Sequence, residues 1–232
     1  MARWRLVDTL HTPGMALKSA LLSVSQAPRD VLNLPIVASW EAKVERARGS
    51  QLNLGGQLFV GYWPERPARR KNGAHRNDGV GPPRAQRSVL KLGEAAKLIT
   101  GGWVILGPGT QIVVGAGATL YIGGGTYLSG NSQILCRERI EIGYESAIAF
   151  GALIMDSDSH VLSVGGRRRP QTLPVEIGNH VWMGAGVTVL KGATMGDGVV
   201  IGAGSVVTGT IPPKTLAAGV PARVIKDDVQ WH

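Results

Sequence analysis

The amino-acid sequence predicts an all-β chain wound as a parallel solenoid. From Ile177 to Val207 a large aliphatic residue or methionine recurs at every sixth position: Ile177, Met183, Val189, Met195, Ile201 and Val207. Glycine follows that residue directly in four of the five units IGNHVW, MGAGVT, VLKGAT, MGDGVV and IGAGSV. Period six is neither helical nor heptad. A short flat run, a corner and a return suit one face of a solenoid, whose inward side chains stack coil upon coil and whose corners need small residues. Composition agrees, because 33 glycines among 232 residues and few aromatics fit many turns around an aliphatic core in one domain.

Taken in order, the chain opens with MARWRLVDTL, where Asp8, His11 and Lys18 interrupt any signal-peptide core. Leu17, Leu21 and Val24, behind Pro13 and Gly14, are spaced for one face of a short helix that caps the first coil. Leu52, Leu54, Leu58 and Val60 alternate before Gly61 as an early coil, and VLKLG at Val89–Gly93 reads as another. Between Arg66 and Arg87 lie Arg66, Arg69, Arg70, Lys71, Arg76, Arg84 and Arg87 against Asp78 alone, in company with Pro67, Pro82 and Pro83. This loop carries much of the net charge of +9. It is either a solvated linker or an attractor for an anionic glycan, a diphosphate or an acidic membrane face. It has no interleaved aromatics for stacking bases, which argues against nucleic acid.

The solenoid pattern then runs with mixed spacing. Leu106, Val114 and Ile122 are eight apart, Ile122, Leu128, Ile134 and Ile140 six apart, and Ile142, Ile148 and Ile154 continue at six. Extra corner residues account for the longer steps. The organisation expected is an N-terminal extension over 1–87, a β-helix catalytic domain over 88–211 and a C-terminal tail over 212–232. No stretch approaches the ~20 apolar residues of a membrane span. The single cysteine, Cys136, excludes an intramolecular disulfide and points to a reducing, cytoplasmic setting.

The regular repeat breaks once late in the chain, at DSDSHVLSVGGRRRPQTLP after Met155. Loops on a rigid solenoid are where function collects. His160 is the candidate general base there, since an imidazole titrates near neutrality and can take a proton from an attacking hydroxyl. Asp156 and Asp158 are both candidates to orient it, and spacing does not choose between them. Arg167, Arg168 and Arg169 either clamp a phosphate on the acceptor or keep the loop soluble. His180 is the rival base, but it sits inside a regular unit at a corner, where an outward structural role is expected. Neither Ser205 nor Cys136 has a histidine and an acid at motif-like spacing, so a covalent acyl-enzyme is unsupported.

The run VEIGNHVWMGAGVTVLKGATMGDGVVIGAGSVVTGTIPPKTLAAGVPARVIK is similar to the hexapeptide-repeat acyltransferases, above all the sugar O-acetyltransferases of the galactoside, maltose and polysaccharide type. The likeness covers about 142–226, and VWMGAGV, VIGAGSVVT and AAGVPARVI are its most specific parts. It implies a left-handed β-helix, against the usual right-handed crossover, a homotrimer, and acetyl-CoA in a groove between subunits with no metal. DSDSH resembles the family's catalytic-histidine loop. By the same resemblance Trp182 borders the thioester, Gly184, Ala185 and Ala203 line the pantetheine arm, Thr208 lies at the nucleotide end, and Arg223 and Lys226 meet phosphates. Gly209 stands where many relatives carry lysine. The activity implied is O-acetylation of a sugar or polysaccharide hydroxyl, with serine O-acetylation or amino-sugar N-acetylation as alternatives. From other classes, a γ-carbonic-anhydrase-type zinc lyase needs three convergent histidines where the solenoid offers His160 and His180, and a non-catalytic trimeric spacer needs none.

Overall fold

The computed structural model describes residues 3–6, 22–23, 36–39, 43–54, 58–60 and 87–232, and all regular elements among them are strands. The chain winds through three flat faces in turn. The first face carries parallel strands from Ile36–Ser39 to Leu216–Gly219, the second from Lys43–Arg46 to Val206–Val207, and the third from Gln51–Leu54 to Thr210–Ile211.

The sixfold spacing is the width of one face. Ile177, Met183 and Val189 fall on the third, first and second faces, and each pairs in register with the residue eighteen positions on: Ile177 with Met195, Met183 with Ile201, Val189 with Val207. One coil is therefore three units. Upstream, where sequence spacing reaches eight, Ile112 pairs with Ile134, twenty-two positions away, because the corners hold more residues. Inward side chains form continuous ladders; on the second face Leu90, Ile112, Ile134, Ile154, Val189 and Val207 are all fully buried. That ladder replaces the interior of a conventional sheet sandwich and stabilises by about 1.5–3 kcal/mol per large side chain removed from water.

The glycine after each large residue has a steric cause. At Gly143 an added Cβ would lie 2.5 Å from the carbonyl carbon of Gly178 in the next coil, and at Gly184 it would lie 2.6 Å from the amide nitrogen of Ala203. Coils about 4.8 Å apart leave no room for a side chain directed along the axis.

Both ends of the ladder reach beyond 88–211. Parallel pairing starts at Ile36–Ser39 with Leu58–Val60, so the early coil expected over Leu52–Val60 is present and has another before it. Residues 61–86 separate the first-face strand Leu58–Val60 from the second-face strand Val89–Leu92; the basic stretch, except Arg87, lies outside the described residues. Leu17, Leu21 and Val24 also lie outside them. Within the span expected as helix, however, Leu22–Ser23 is extended and pairs antiparallel with Arg3–Leu6, which in turn pairs antiparallel with Ile36–Ser39. An exposed sheet edge offers a ladder of backbone hydrogen bonds that a three-residue apolar spacing does not outweigh. At the other end Ala222–Lys226 folds back antiparallel on Leu216–Gly219 and closes the first face.

Candidate functional site

The segment after Met155 leaves the second face at Leu153–Met155 and re-enters the third at Val175–Ile177, so it projects from the corner between those faces. It is a β-hairpin arm. Val164 pairs with Arg167 and Ser163 with Arg168 across Gly165 and Gly166, whose φ values of 57° and 76° belong to a two-residue turn of the type favoured in hairpins. Further down, Arg169 N–H donates to Leu162 O at 2.8 Å, Asp158 N–H donates to Gln171 O at 3.0 Å, and Ser157 bridges Thr172. Between these two sets of pairs the first strand carries Ser159, His160 and Val161 opposite Pro170 alone. Ser159, at φ 59°, turns the chain in this bulge. Bulges of this kind can re-aim a side chain; His160 lies within this one, is exposed and has no hydrogen-bond or ion-pair partner among the described residues.

The two aspartates do different work from that expected. Asp156 is fully buried, and its carboxylate accepts the backbone N–H groups of Arg137, Glu138 and Arg139 at 2.7, 2.7 and 2.8 Å. Asp158 pairs with Lys191 at 2.5 Å. Neither hydrogen-bonds to His160, the residue either was expected to orient. The physical reason is demand: an arm rooted on a solenoid corner must satisfy the turn beneath it, and a carboxylate satisfies three amides at once. The arm's arginines, Arg167, Arg168 and Arg169, are exposed.

Cys136 sits beneath the arm, buried in the core, with its thiol 3.3 Å from Thr119 O and 3.7 Å from Asp156 Oδ2. Burial, with the Asp156 charge adding to it, pushes the thiol up to about 12. A thiol so held is no nucleophile. The folded chain then keeps a proton that the unfolded chain loses near pH 9, so stability falls as pH rises from about 9 towards 12, by about 1.4 kcal/mol per pH unit. Urea unfolding of Cys136→Ala at pH 8.5 and 10.5 is expected to show a shallower loss than wild type; parallel losses would refute the assignment. Ser205, the other nucleophile considered, is buried and donates to Gly202 O at 2.6 Å while accepting Gly219 N–H at 3.1 Å.

On the first face the outward position of successive coils holds Tyr127, Ala147, Trp182 and Val200 in register. Trp182 is exposed. Around the corner towards the second face, Ala185 and Ala203 are exposed, and at Gly186 and Gly204 an added Cβ would meet nothing within 4 Å. Gly184 packs against Ala203 and Gly202 against Ala218, opposite which lies Arg223. Trp182, Gly184, Ala185, Ala203 and Arg223 are thus brought together along one open edge that suits a long thin ligand ending in phosphate. Lys226 pairs with Leu216 at the far end of the same terminal strands. Thr208 is elsewhere: it follows Val206–Val207 at the corner between the second and third faces, the side from which the arm projects.

His180 holds a corner with φ 52°, and its ring stacks on Trp231 with centroids 4.1 Å apart and planes 9° apart. Trp231 Nε1–H donates to His180 O at 2.9 Å, and His180 Nε2 donates to Trp231 O at 3.1 Å. This fits the reading of His180 as a corner residue. It also sets Trp231 6.2 Å from Trp182, a neighbour that no spacing in the sequence signals. Among the described residues no group of three His, Cys, Asp or Glu side chains is placed to hold a metal ion.

Comparison with known proteins agrees with this architecture. Residues 174–209 match the family described as bacterial transferase hexapeptide (six repeats). The chain is 55% identical over 56 residues to the galactoside O-acetyltransferase of Escherichia coli K12, covering 24% of this chain and 28% of that one. It is 39% identical over 99 residues to WbbJ of the same organism, named as an O-acetyl transferase of lipopolysaccharide biosynthesis, covering 38% and 50%. The match thus spans half or less of these relatives' length. Among solved structures, the polySia-specific acetyltransferase NeuO superposes with a TM-score of 0.59 at 22% identity over 83% of this chain and 89% of that one. The polysialic acid O-acetyltransferase OatWY gives 0.57 at 23% over 83% and 88%. The shared fold is the left-handed parallel β-helix, and residues 174–209 of this chain are similar to the repeat of the bacterial hexapeptide transferases.

Proposed function

We propose that the protein is an O-acetyltransferase that moves an acetyl group from acetyl-CoA to a hydroxyl of a sugar or polysaccharide, with His160 as general base. In this reading His160 removes the proton from the acceptor hydroxyl as its oxygen bonds to the thioester carbonyl carbon. The carbon–sulfur bond then breaks and the imidazolium returns the proton to the departing thiolate. No acyl-enzyme forms. The exposed edge of Trp182, Ala185 and Ala203 takes the thioester and pantetheine, and Arg223 and Lys226 take phosphates. Acetyl-CoA is plentiful in the cytoplasm, where the reaction is placed.

The observation that carries the proposal is a separation. His160 stands at the corner between the second and third faces, whereas Trp182, Ala185 and Ala203 stand on the first face and its corner with the second. Base and thioester edge thus lie on different sides of one copy, which supports a site completed by a neighbour in a closed homotrimer. The second face offers a contact, with the outward apolar residues Val113, Leu135, Met155 and Leu190 only partly covered within one chain. Light scattering is expected to give three times the 24.4 kDa chain mass, and a monomer at micromolar concentration would overturn the arrangement. The reaction itself is tested by CoA release from acetyl-CoA with a panel of methyl glycosides, oligosaccharides, amino sugars and serine. Release driven by a glycoside hydroxyl is expected. Release driven by serine or an amine would replace the acceptor, and none above the buffer rate would overturn the reading.

A further inference from the structure

The arm that carries His160 is held at one point by a side chain outside it. Lys191 lies in VLKGAT, the unit whose large residue is not followed by glycine, at the next coil's corner between Thr188–Val189 and Thr194–Met195. Its side chain is only 16% exposed. Its Nζ is 2.5 Å from Asp158 Oδ2 on the outgoing strand and donates to the carbonyl oxygen of Pro170 on the returning strand. Those two residues flank the bulge: Asp158 precedes Ser159 and His160, and Pro170 is the residue they face. One ammonium therefore spans the base of the loop that aims the imidazole. The adjoining Gly192 N–H adds backbone bonds to Leu173 O at 3.2 Å and Pro174 O at 3.1 Å, which seat the returning strand on the same corner.

We propose that Lys191 is a positioning residue for His160, cross-bracing the two strands of the arm so that the imidazole is presented in one geometry. This rests on the reading of His160 as the base. The contact is suited to the task because it is partly buried and doubly bonded, so it resists screening better than an exposed pair. His160 itself has no hydrogen-bond or ion-pair partner among the described residues to restrain it, and a reacting group misplaced by about 1 Å loses on the order of a hundredfold in rate.

The test uses the full chain with acetyl-CoA and whichever panel glycoside accepts acetyl. Lys191→Met is expected to lower kcat by about ten- to a hundredfold with the KM for acetyl-CoA within about twofold, and Lys191→Arg to recover most of the rate. Asp158→Asn breaks the same pair from the other side and serves if Lys191→Met folds poorly; its loss should be similar and should not add to that of Lys191→Met. In a His160→Ala background, Lys191→Met should cause no further loss, because there is no base left to misplace. Trypsin cleavage at Arg167–Arg169 should quicken severalfold in Lys191→Met, reporting the loosened arm without reference to activity. A Lys191→Met variant with full kcat, or one whose loss persists undiminished on His160→Ala, overturns the positioning role while leaving His160 in place. Full turnover by His160→Ala itself would instead remove the base assignment on which it rests.

Discussion

His160→Ala is expected to lower acetyl transfer by about 10²–10⁴-fold, the usual contribution of a positioned general base, while leaving the fold intact. The fold is spared because the imidazole is exposed and makes no hydrogen bond or ion pair among the described residues; the bulge is shaped by Ser159, Pro170 and the ladder on either side. Thermal unfolding should shift by no more than about 0.5 kcal/mol, the range of a surface substitution. Acetyl-CoA affinity should be unchanged, since the residues proposed to take the cofactor, Trp182, Ala185, Ala203, Arg223 and Lys226, are untouched by the substitution. Steady-state kinetics and calorimetry decide the matter. A variant that keeps more than about a third of the wild-type rate would leave His160 with none of the effect expected of a base.

Asp156→Ala should do the opposite. The buried carboxylate closes the turn at Arg137–Arg139 with three charge-assisted hydrogen bonds. Hydrogen bonds to a charged group contribute about 1.5–3 kcal/mol each, and these amides are partly able to turn to water once the acceptor is gone, so a loss of about 3–6 kcal/mol is expected. For a chain of this size that is a fall in Tm of roughly 10 °C or more. Asp156→Asn, which keeps an acceptor oxygen, should lose less. Activity in these variants should follow the folded fraction, whereas in His160→Ala it should not. A stability change below about 1 kcal/mol in Asp156→Ala would return this residue to the catalytic candidates.

The contrast between those two residues marks how far residue order can be read. The period of six announced the solenoid because each inward side chain has only one geometry in which it stacks on the coil before it, so burial imprints the fold on the sequence. The break after Met155 announced the arm for the complementary reason: nineteen residues without the inward ladder cannot lie on a face. Nearest-neighbour chemistry inside the arm was equally visible, and it pointed to His160 with two acids beside it.

What those acids bond to depends on residues far off in the chain. Asp156 meets amides seventeen to nineteen positions earlier, and Asp158 meets Lys191 in the coil that follows. Likewise Trp231 reaches Trp182 and His180 only because the final strand folds back on the first face. The periodic pattern states which side of the wall a residue occupies, but not which coil or corner faces it. Partners across coils are chosen by insertions at corners, and an insertion changes what meets what without disturbing the ladder that made the fold legible.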